Sequence, residues 1–288
     1  MPSSISRFLA NGLLDHVFGG NAYAPLPTIY LALLATAPVS YFDGGGEVEE
    51  AGVLRLAIVN DTTAFPASTT IGLSTIKING IPLDFGTTSS ALASVAFGFY
   101  DADVGGAWLG GGSFTVPLSF ASGVNVVIPS EAIAIAFNAA STGSCSGYLC
   151  RSLLNFAFGA ADYLSPPTFA AYFTTAPNYT TGNGAVEPSG GGYSRIAARR
   201  INGALNGTFS DGAEDITISF PFSSAFVITF PPPTGSQGTV IAGGLFDAIS
   251  GGNLLCGGDF VSPLTLVSGN SGVRFAVNSI QVKILSIA

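Results

Sequence analysis

The chain has 288 residues, of which 48% are hydrophobic and only 9% are charged, and its formal net charge is −8. Soluble domains ordinarily carry about 25% charged residues, so much of this surface is neutral, as in subunits packed in assemblies. Nine Lys and Arg residues offer little neutralisation of phosphates, which argues against a nucleic-acid partner.

The first predicted element is a short amphipathic helix at the N-terminus. Ser3 and Ser4 can cap it, and Gly19-Gly20 supplies the stop. The apolar residues that recur at helical spacing are Ile5, Phe8, Leu9, Leu13, Val17 and Phe18. We predict that His16, the single histidine, lies at the solvent edge of this helix and is not a catalytic base.

The most apolar stretch of the chain follows this helix. It runs from Thr28 to Ala37 and ends at Pro38, so it is about half as long as the roughly 20 residues that a membrane-spanning helix needs. The segment before it is interrupted by polar residues and is not a convincing signal peptide. We therefore expect no membrane association.

Further along the chain the hydrophobic period changes to two residues, which is typical of half-buried β-strands. Alternating runs at 76–78, 216–218 and 279–284 are separated by clusters of Gly, Pro, Asn, Asp and Ser. Short strands at such spacing predict an antiparallel β-sandwich or a jelly-roll-like fold.

The sequence contains few candidates for chemistry. A Gly-x-Ser-x-Gly elbow, a P-loop and a His-Glu-x-x-His motif are all absent, so we expect no enzyme, no cofactor and no catalytic metal. Two acidic turns can offer oxygen ligands to calcium, namely Glu47 with Glu49 and Glu50, and Asp101 with Asp103. Because neither has the spacing of an EF-hand, solvated turn carboxylates are the favoured interpretation.

The three cysteines are too few for a disulfide scaffold. Cys145 and Cys150 are close enough in sequence to form a short clip, but their spacing matches no recurrent motif and free thiols are favoured. Cys256 lies in a strand-like run and is predicted to be a small core residue.

The second half of the chain repeats the first. Residues that recur in order include Leu13 as Leu153, Phe18 as Phe158, Tyr23 as Tyr163, Asp101 as Asp247 and Pro117 as Pro263. This indicates a tandem duplication, with domains at 1–140 and 141–288. The predicted fold is mostly β: two tandem antiparallel β-sandwich (jelly-roll-like) modules, each preceded by a short amphipathic helix.

The second copy carries the clearest motifs, a Ser-Gly-Gly-Gly-Tyr-x-Arg turn and a Phe-Asp-Ala-x-x-Gly-Gly segment. The residues that define them are Gly190, Gly191, Gly192, Tyr193, Arg195, Asp247, Gly251 and Gly252. Arg195 aligns with Arg55, which predicts a structural role for this position in each module. Arg199 and Arg200 occur only in the second copy and are candidates for contacts between subunits.

With these motifs, and with Thr-Ala-Pro at 36–38 and 175–177, the chain resembles a family of small tailed-phage virion proteins usually labelled phage tail fibre-like. The resemblance covers both halves. The chain departs from it at Gln237, where members usually have a tryptophan before the Gly-Thr-Val strand. The resemblance implies a non-enzymatic structural protein of a tailed-phage particle.

The location within the particle is predicted from the duplication. Two tethered copies bind neighbouring sites at high effective concentration, and the chain has no heptads or shaft-like repeats, which favours a capsid decoration (cement) protein on the capsid surface. The alternative is a short tail fibre or a tail-attached receptor-binding protein. A fibre-borne glycan depolymerase is less favoured, because no pair of catalytic carboxylates can be assigned.

The expected partners follow from this location and from the neutral surface. They are other copies of the chain, as a homo-oligomer, and other virion proteins, above all the major capsid protein.

Overall fold

The computed structural model describes residues 3–19, 22–38, 44–48, 53–72, 74–138, 143–198, 216–219, 227–276 and 281–284. The elements of the first half are β1 (Ser3–Ile5), α1 (Arg7–Leu14), a π-helical turn (Asp15–Gly19), β2 (Thr28–Leu34), β3 (Leu56–Val59), β4 (Thr69–Ile71), β5 (Ser74–Ile78), β6 (Leu83–Thr87), β7 (Leu92–Tyr100), β8 (Trp108–Phe120), β9 (Asn125–Ile128) and β10 (Ala134–Asn138). Those of the second half are β11 (Gly143–Cys145), α2 (Gly147–Ala157), β12 (Phe169–Phe173), β13 (Ile196–Ala197), β14 (Ile216–Ser219), β15 (Ile228–Thr229), β16 (Gly238–Phe246), β17 (Leu254–Leu266), β18 (Arg274–Phe275) and β19 (Gln281–Ile284).

The two halves have the same sheet topology. The main sheet has the order β1-β8-β7-β2-β3 in the first half and β11-β17-β16-β12-β13 in the second. The smaller pairings also correspond, since β5 pairs with β10 and β6 with β9, just as β14 pairs with β19 and β15 with β18. The predicted duplication and the predicted mostly β, antiparallel fold are therefore confirmed. The predicted boundary between residues 140 and 141 lies outside the described residues.

Each helix lies inside its module, after a short edge strand. In both copies a three-residue strand, β1 or β11, first pairs with the long strand β8 or β17, and the helix follows. Ser3 and Ser4 belong to β1, so the prediction that they cap the helix was wrong. Ser6 is the cap, and its Oγ accepts a hydrogen bond from the backbone N–H of Leu9 at 3.1 Å, while Ser146 caps α2 in the same way.

The main sheet, the smaller sheets and the helix of each module enclose an apolar core. Residues of both modules belong to one continuous buried cluster, which includes Phe65 and Phe99 of the first module and Phe158 of the second. The rings of Phe65 and Phe99 lie 5.7 and 5.5 Å from that of Phe158. The modules therefore share part of their hydrophobic core and do not merely touch.

The three cysteines are buried, free thiols of the second module, in agreement with the favoured interpretation. Cys145 and Cys256 face each other across the β11–β17 ladder. Burial raises the pKa of the Cys150 and Cys256 thiols to about 12, so they remain protonated and unreactive at neutral pH.

Within the described part of the chain, no helix is both long and apolar enough to cross a membrane.

Candidate functional site

The two sequence motifs of the second copy come together beneath the turn of the β16–β17 hairpin. Nη1 of Arg195 donates hydrogen bonds to the backbone carbonyls of Ala248 at 2.8 Å and Gly251 at 2.6 Å. Nη2 donates to the carboxylate of Glu187 at 2.6 Å, and the guanidinium carbon lies 3.5 Å from the ring centroid of Phe246. The arginine thus donates to the turn and to Glu187 while its planar group lies on an aromatic ring, which a lysine cannot do.

Asp247 closes the same turn from the other side. Its Oδ1 accepts a hydrogen bond from the backbone N–H of Asn253 at 2.6 Å, and its Oδ2 accepts one from the Asn253 amide at 2.8 Å. Gly251 and Gly252 have φ values of +62° and +71°, which favour glycine. These bonds and the two glycines hold the turn in one shape. Ile249 at its tip is exposed, with 61% of its surface accessible.

The first module builds an equivalent turn from a diverged sequence. Nη1 of Arg55 donates to the carbonyls of Ala102 and Gly105, both at 2.6 Å. Its Nε donates to Glu47 at 3.0 Å, and its guanidinium carbon lies 3.6 Å from the ring centroid of Tyr100. The geometry is thus the same as around Arg195, although the Gly-Gly-Gly-Tyr motif is missing from this copy.

Sequence reasoning did not identify the acidic partners of these arginines. It assigned Glu47 to an acidic cluster and gave Glu187 no role. The signal that could have found them is spacing, because each glutamate precedes its arginine, Arg55 or Arg195, by eight residues.

Two of the carboxylates considered as calcium ligands, Glu47 and Asp101, are engaged by protein groups. Glu47 forms the ion pair just described, and Asp101 Oδ1 accepts a hydrogen bond from the backbone N–H of Ala107 at 2.6 Å. Glu49 and Glu50 lie outside the described residues. Among the residues that are described, no group of three or more His, Cys, Asp or Glu side chains is arranged to hold a metal ion.

The glycine turn at 190–192 packs beside the start of β16. The carbonyl of Gly191 accepts a hydrogen bond from Nε2 of Gln237 at 2.8 Å, and Oε1 of Gln237 accepts one from the hydroxyl of Tyr172 at 2.5 Å. The hydroxyl of Tyr193 donates a hydrogen bond to Glu187 at 2.6 Å. The pKa of Tyr193 is raised, mainly by burial and in addition by the neighbouring Glu187 carboxylate. Gln237, the departure from the family pattern, thus joins the glycine turn to the sheet.

The candidate intersubunit residues Arg199 and Arg200 lie outside the described residues.

His16 lies at the junction of the two modules, and the prediction that it lies at the solvent edge was wrong. Only 8% of it is accessible, because the second module covers the helix that carries it. Its Nε2 lies 2.8 Å from the carbonyl oxygen of Tyr163, and its Nδ1 accepts a hydrogen bond from the backbone N–H of Tyr23 at 3.2 Å. This pattern requires the neutral tautomer with the proton on Nε2, and both nitrogens are occupied by structural bonds.

The aromatic contacts across the junction are reciprocal. His16 faces its own counterpart Phe156, with ring centroids 4.7 Å apart. Tyr23 packs on Phe156 at 5.8 Å, and the equivalent Tyr163 packs on His16 at 6.2 Å. Contacts of this kind, in which i meets j′ and j meets i′, arise at a two-fold axis. These ring contacts therefore share an approximate local two-fold axis, which passes between His16 and Phe156.

Polar side chains reinforce the junction around this axis. The side-chain amide of the buried Asn60 donates hydrogen bonds to the carbonyls of Leu26 at 2.8 Å and Ala157 at 2.9 Å. Its Oδ1 accepts a hydrogen bond from the backbone N–H of Gly159. The asparagine therefore links one segment of the first module to the end of α2.

A buried lysine forms a second polar link. Oδ1 of Asn155 on α2 accepts hydrogen bonds from the backbone N–H of Ser68 at 2.8 Å and from Nζ of Lys77 at 2.9 Å. Only 2% of Lys77 is accessible, and burial lowers its pKa to about 8. The junction thus contains a cation that no carboxylate within the described contacts neutralises, which is a cost to stability.

The turns and the junction have one property in common: the charged side chains and the amides described above are bound by other groups of the same chain. Such an arrangement holds shape and spacing, and it offers rigid presentation of two equivalent turns on one molecule.

Comparison with known proteins agrees with this two-module organisation. A family model described as Gp80, Podophage GP4 fiber I protein gp80, matches the chain twice, over residues 4–136 and residues 144–283. A search of curated proteins finds no significant match.

Proposed function

Because the chain belongs to the family of the podophage GP4 fiber I protein gp80, and carries its module twice, we propose that it is a short fibre protein attached to the tail of a podophage. The family match is the observation that carries this proposal. Membership makes the chain a structural protein of a bacteriophage virion, as the resemblance implied. Membership of a fibre family favours the tail as the location of the protein in the particle.

Capsid decoration, which the sequence analysis preferred, has no support. That preference depended on the duplication and on the absence of heptads and of shaft-like repeats from the chain. The two segments that match a fibre family are compact β-sandwiches here, so membership of this family does not require a coiled-coil shaft. The tail-fibre alternative therefore replaces it.

The structure supports a mechanical role for the fibre. Both modules present a hairpin turn that is clamped by an arginine, with Val104 or Ile249 exposed near its tip. The shared core and the contacts across the junction hold these turns at a fixed separation. Two equivalent surfaces on one rigid molecule suit a partner that carries several copies of one binding site. Once the first surface is bound, the second contact forms at high effective concentration.

Immunogold labelling of purified virions with antibodies against the chain tests the location. We expect gold at the tail, and a copy number, measured by quantitative mass spectrometry, far below that of the major capsid protein. Antibodies against the major capsid protein provide the matched control. Label spread over the head, with a copy number close to that of the capsid protein, would return the assignment to decoration.

The proposed role is non-enzymatic. Purified protein incubated with host surface polysaccharide should release no reducing ends, with a known depolymerase as the positive control. Hydrolysis that is lost on heat denaturation of the protein would contradict this part of the proposal.

A further inference from the structure

The sequence contains Asn-Gly pairs at 11–12, 79–80, 183–184, 202–203 and 206–207. In such a pair the backbone nitrogen of the glycine can attack the side-chain amide carbon of the asparagine, because glycine has no side chain to shield that nitrogen. The attack closes a succinimide ring and releases ammonia. The first three pairs belong to the described part of the chain, and the fold places them in three different environments.

The pair formed by Asn79 and Gly80 is held by hydrogen bonds on both residues. The buried Asn79 amide donates to the carbonyls of Ile81 at 2.9 Å and Pro129 at 2.8 Å. The backbone N–H of Gly80 donates to the carbonyl of Ala64 at 2.8 Å. Since both reacting groups are engaged, attack requires that this region first opens locally.

The pair formed by Asn11 and Gly12 lies inside α1 (Arg7–Leu14). A helical backbone directs each N–H group to the carbonyl four residues earlier, so the nitrogen of Gly12 is committed to the helix. The ring of Tyr23 also covers this glycine, because a Cβ at Gly12 would lie 2.8 Å from it. The nitrogen cannot turn towards the Asn11 side chain unless the helix unwinds.

The pair formed by Asn183 and Gly184 is open. Both residues are exposed and lie outside the helices and strands. Gly184 has a φ of +81°, and a Cβ placed on it would meet open space. Within the described residues, neither the side chain of Asn183 nor the backbone N–H of Gly184 has a hydrogen-bond partner. The two reacting groups are therefore adjacent, accessible and uncommitted.

We propose that Asn183 is a site of spontaneous deamidation, at which the folded chain gains a carboxylate. The nitrogen of Gly184 forms a bond to Cγ of Asn183 and loses its proton, the Cγ–Nδ2 bond breaks, and ammonia leaves. Water then opens the succinimide at one of its two carbonyls, which gives aspartate or isoaspartate. The net reaction takes up water and releases ammonia, so it needs no oxidant, reductant or enzyme.

The first module already has an acid at the equivalent position. Asp43 precedes Glu47 by four residues, as Asn183 precedes Glu187, and a glycine follows in both modules. Conversion to aspartate therefore makes the two copies alike at this position. Isoaspartate instead adds a methylene group to the backbone, and it turns the Asn183 carbonyl, which accepts the N–H of Asn178 at 2.7 Å, into a free carboxylate.

Peptide mass spectrometry of the folded full-length chain, aged at mildly alkaline pH, tests the proposal. Trypsin separates the three pairs, because cleavage after Lys and Arg gives the peptides 8–55, 78–151 and 152–195. We expect the mass increase of an amide-to-acid exchange to appear at Asn183 about tenfold faster, or more, than at Asn11 and Asn79, which react only after local opening. Fragmentation of each peptide locates the modified residue.

Asn183→Gln is the matched control, because its longer side chain disfavours the five-membered ring. Isoaspartyl methyltransferase should label the 152–195 peptide of the aged wild-type chain, and this label should be lost in the variant. In denaturant the three wild-type pairs should react at similar rates, which assigns their difference in the folded chain to the fold.

Two results would overturn the proposal. One is a folded chain in which Asn183 stays intact while the denatured chain reacts, and the other is equal rates at the three pairs in the folded chain. Neither result bears on the location of the protein in the virion.

Discussion

His16 and Phe156 occupy equivalent positions in the two helical segments, and their rings meet 4.7 Å apart across the approximate two-fold axis. At an axis of this kind a residue faces its own counterpart, so the two equivalent side chains must pack against each other in the same space. Histidine adds what phenylalanine cannot, because its two nitrogens bind the backbones of Tyr23 and Tyr163. The duplicated position has thus acquired different chemistry in each copy.

We expect the His16→Phe variant to lower the free energy of unfolding by about 1–3 kcal/mol. The ring is retained, but the backbone N–H of Tyr23 and the carbonyl of Tyr163 lose their partner in a buried place. Equilibrium urea unfolding measures the change, with the exposed Phe8→Leu variant as control. Equal stability of His16→Phe and the wild type would show that these hydrogen bonds contribute nothing net.

Lys77→Met should stabilise the protein at neutral pH. Burial lowers the pKa of Lys77 from 10.5 to about 8, so between these values the unfolded chain binds more protons than the folded chain. The contribution of Lys77 to stability therefore rises as the pH rises from 8 to 10.5. The variant should exceed the wild type by up to about 3 kcal/mol at pH 7, and this advantage should shrink towards pH 10.

Chemical unfolding of the Lys77 variants at pH 7 and pH 10 makes this measurement. Lys77→Arg is the matched control, because its guanidinium stays charged over the whole range and should show no gain with pH. A difference between Lys77→Met and the wild type that does not change with pH would contradict the assigned cause.

Gly252→Ala should destabilise the β16–β17 turn far more than Gly251→Ala. Both glycines have positive φ, but a Cβ at Gly252 would collide with Oδ1 of Asp247 and lie 2.6 Å from Cβ of Ala248, while a Cβ at Gly251 meets open space. We expect a loss of about 1 kcal/mol at Gly251, from backbone strain alone, and about 3 kcal/mol or more at Gly252. Thermal unfolding of the two variants provides the comparison, and similar losses would argue against the close contact.

Arg195→Lys and Arg55→Lys should weaken the two modules to a similar extent. Lysine cannot bind a carboxylate and two carbonyls while also stacking on an aromatic ring, and we expect each change to lower stability by about 1–3 kcal/mol. The exposed Arg274→Lys variant is the control. If only one of the two variants is less stable than the wild type, the two turns do not contribute equally to stability, despite their shared geometry.

The hairpin turns show how far the sequence alone could be interpreted. Duplication and period-two patterning are local features, so the fold class and the importance of Arg195 and Asp247 could be predicted. The partner Glu187 could not, because its pairing depends on two loops that only the folded sheet brings together. His16 was misplaced for a related reason: the apolar pattern of a helix identifies the face towards its own core, and a second module covers the other face.

The covalent fusion of two copies of one module has an evolutionary consequence. A dimer of separate chains must present the same residue at both symmetric positions, and it dissociates on dilution. The fused chain is free of both constraints, so a mutation alters one turn at a time. Asp103 in the first turn already corresponds to Ile249 in the second, so the two ends of this molecule can evolve towards different targets while sharing one scaffold.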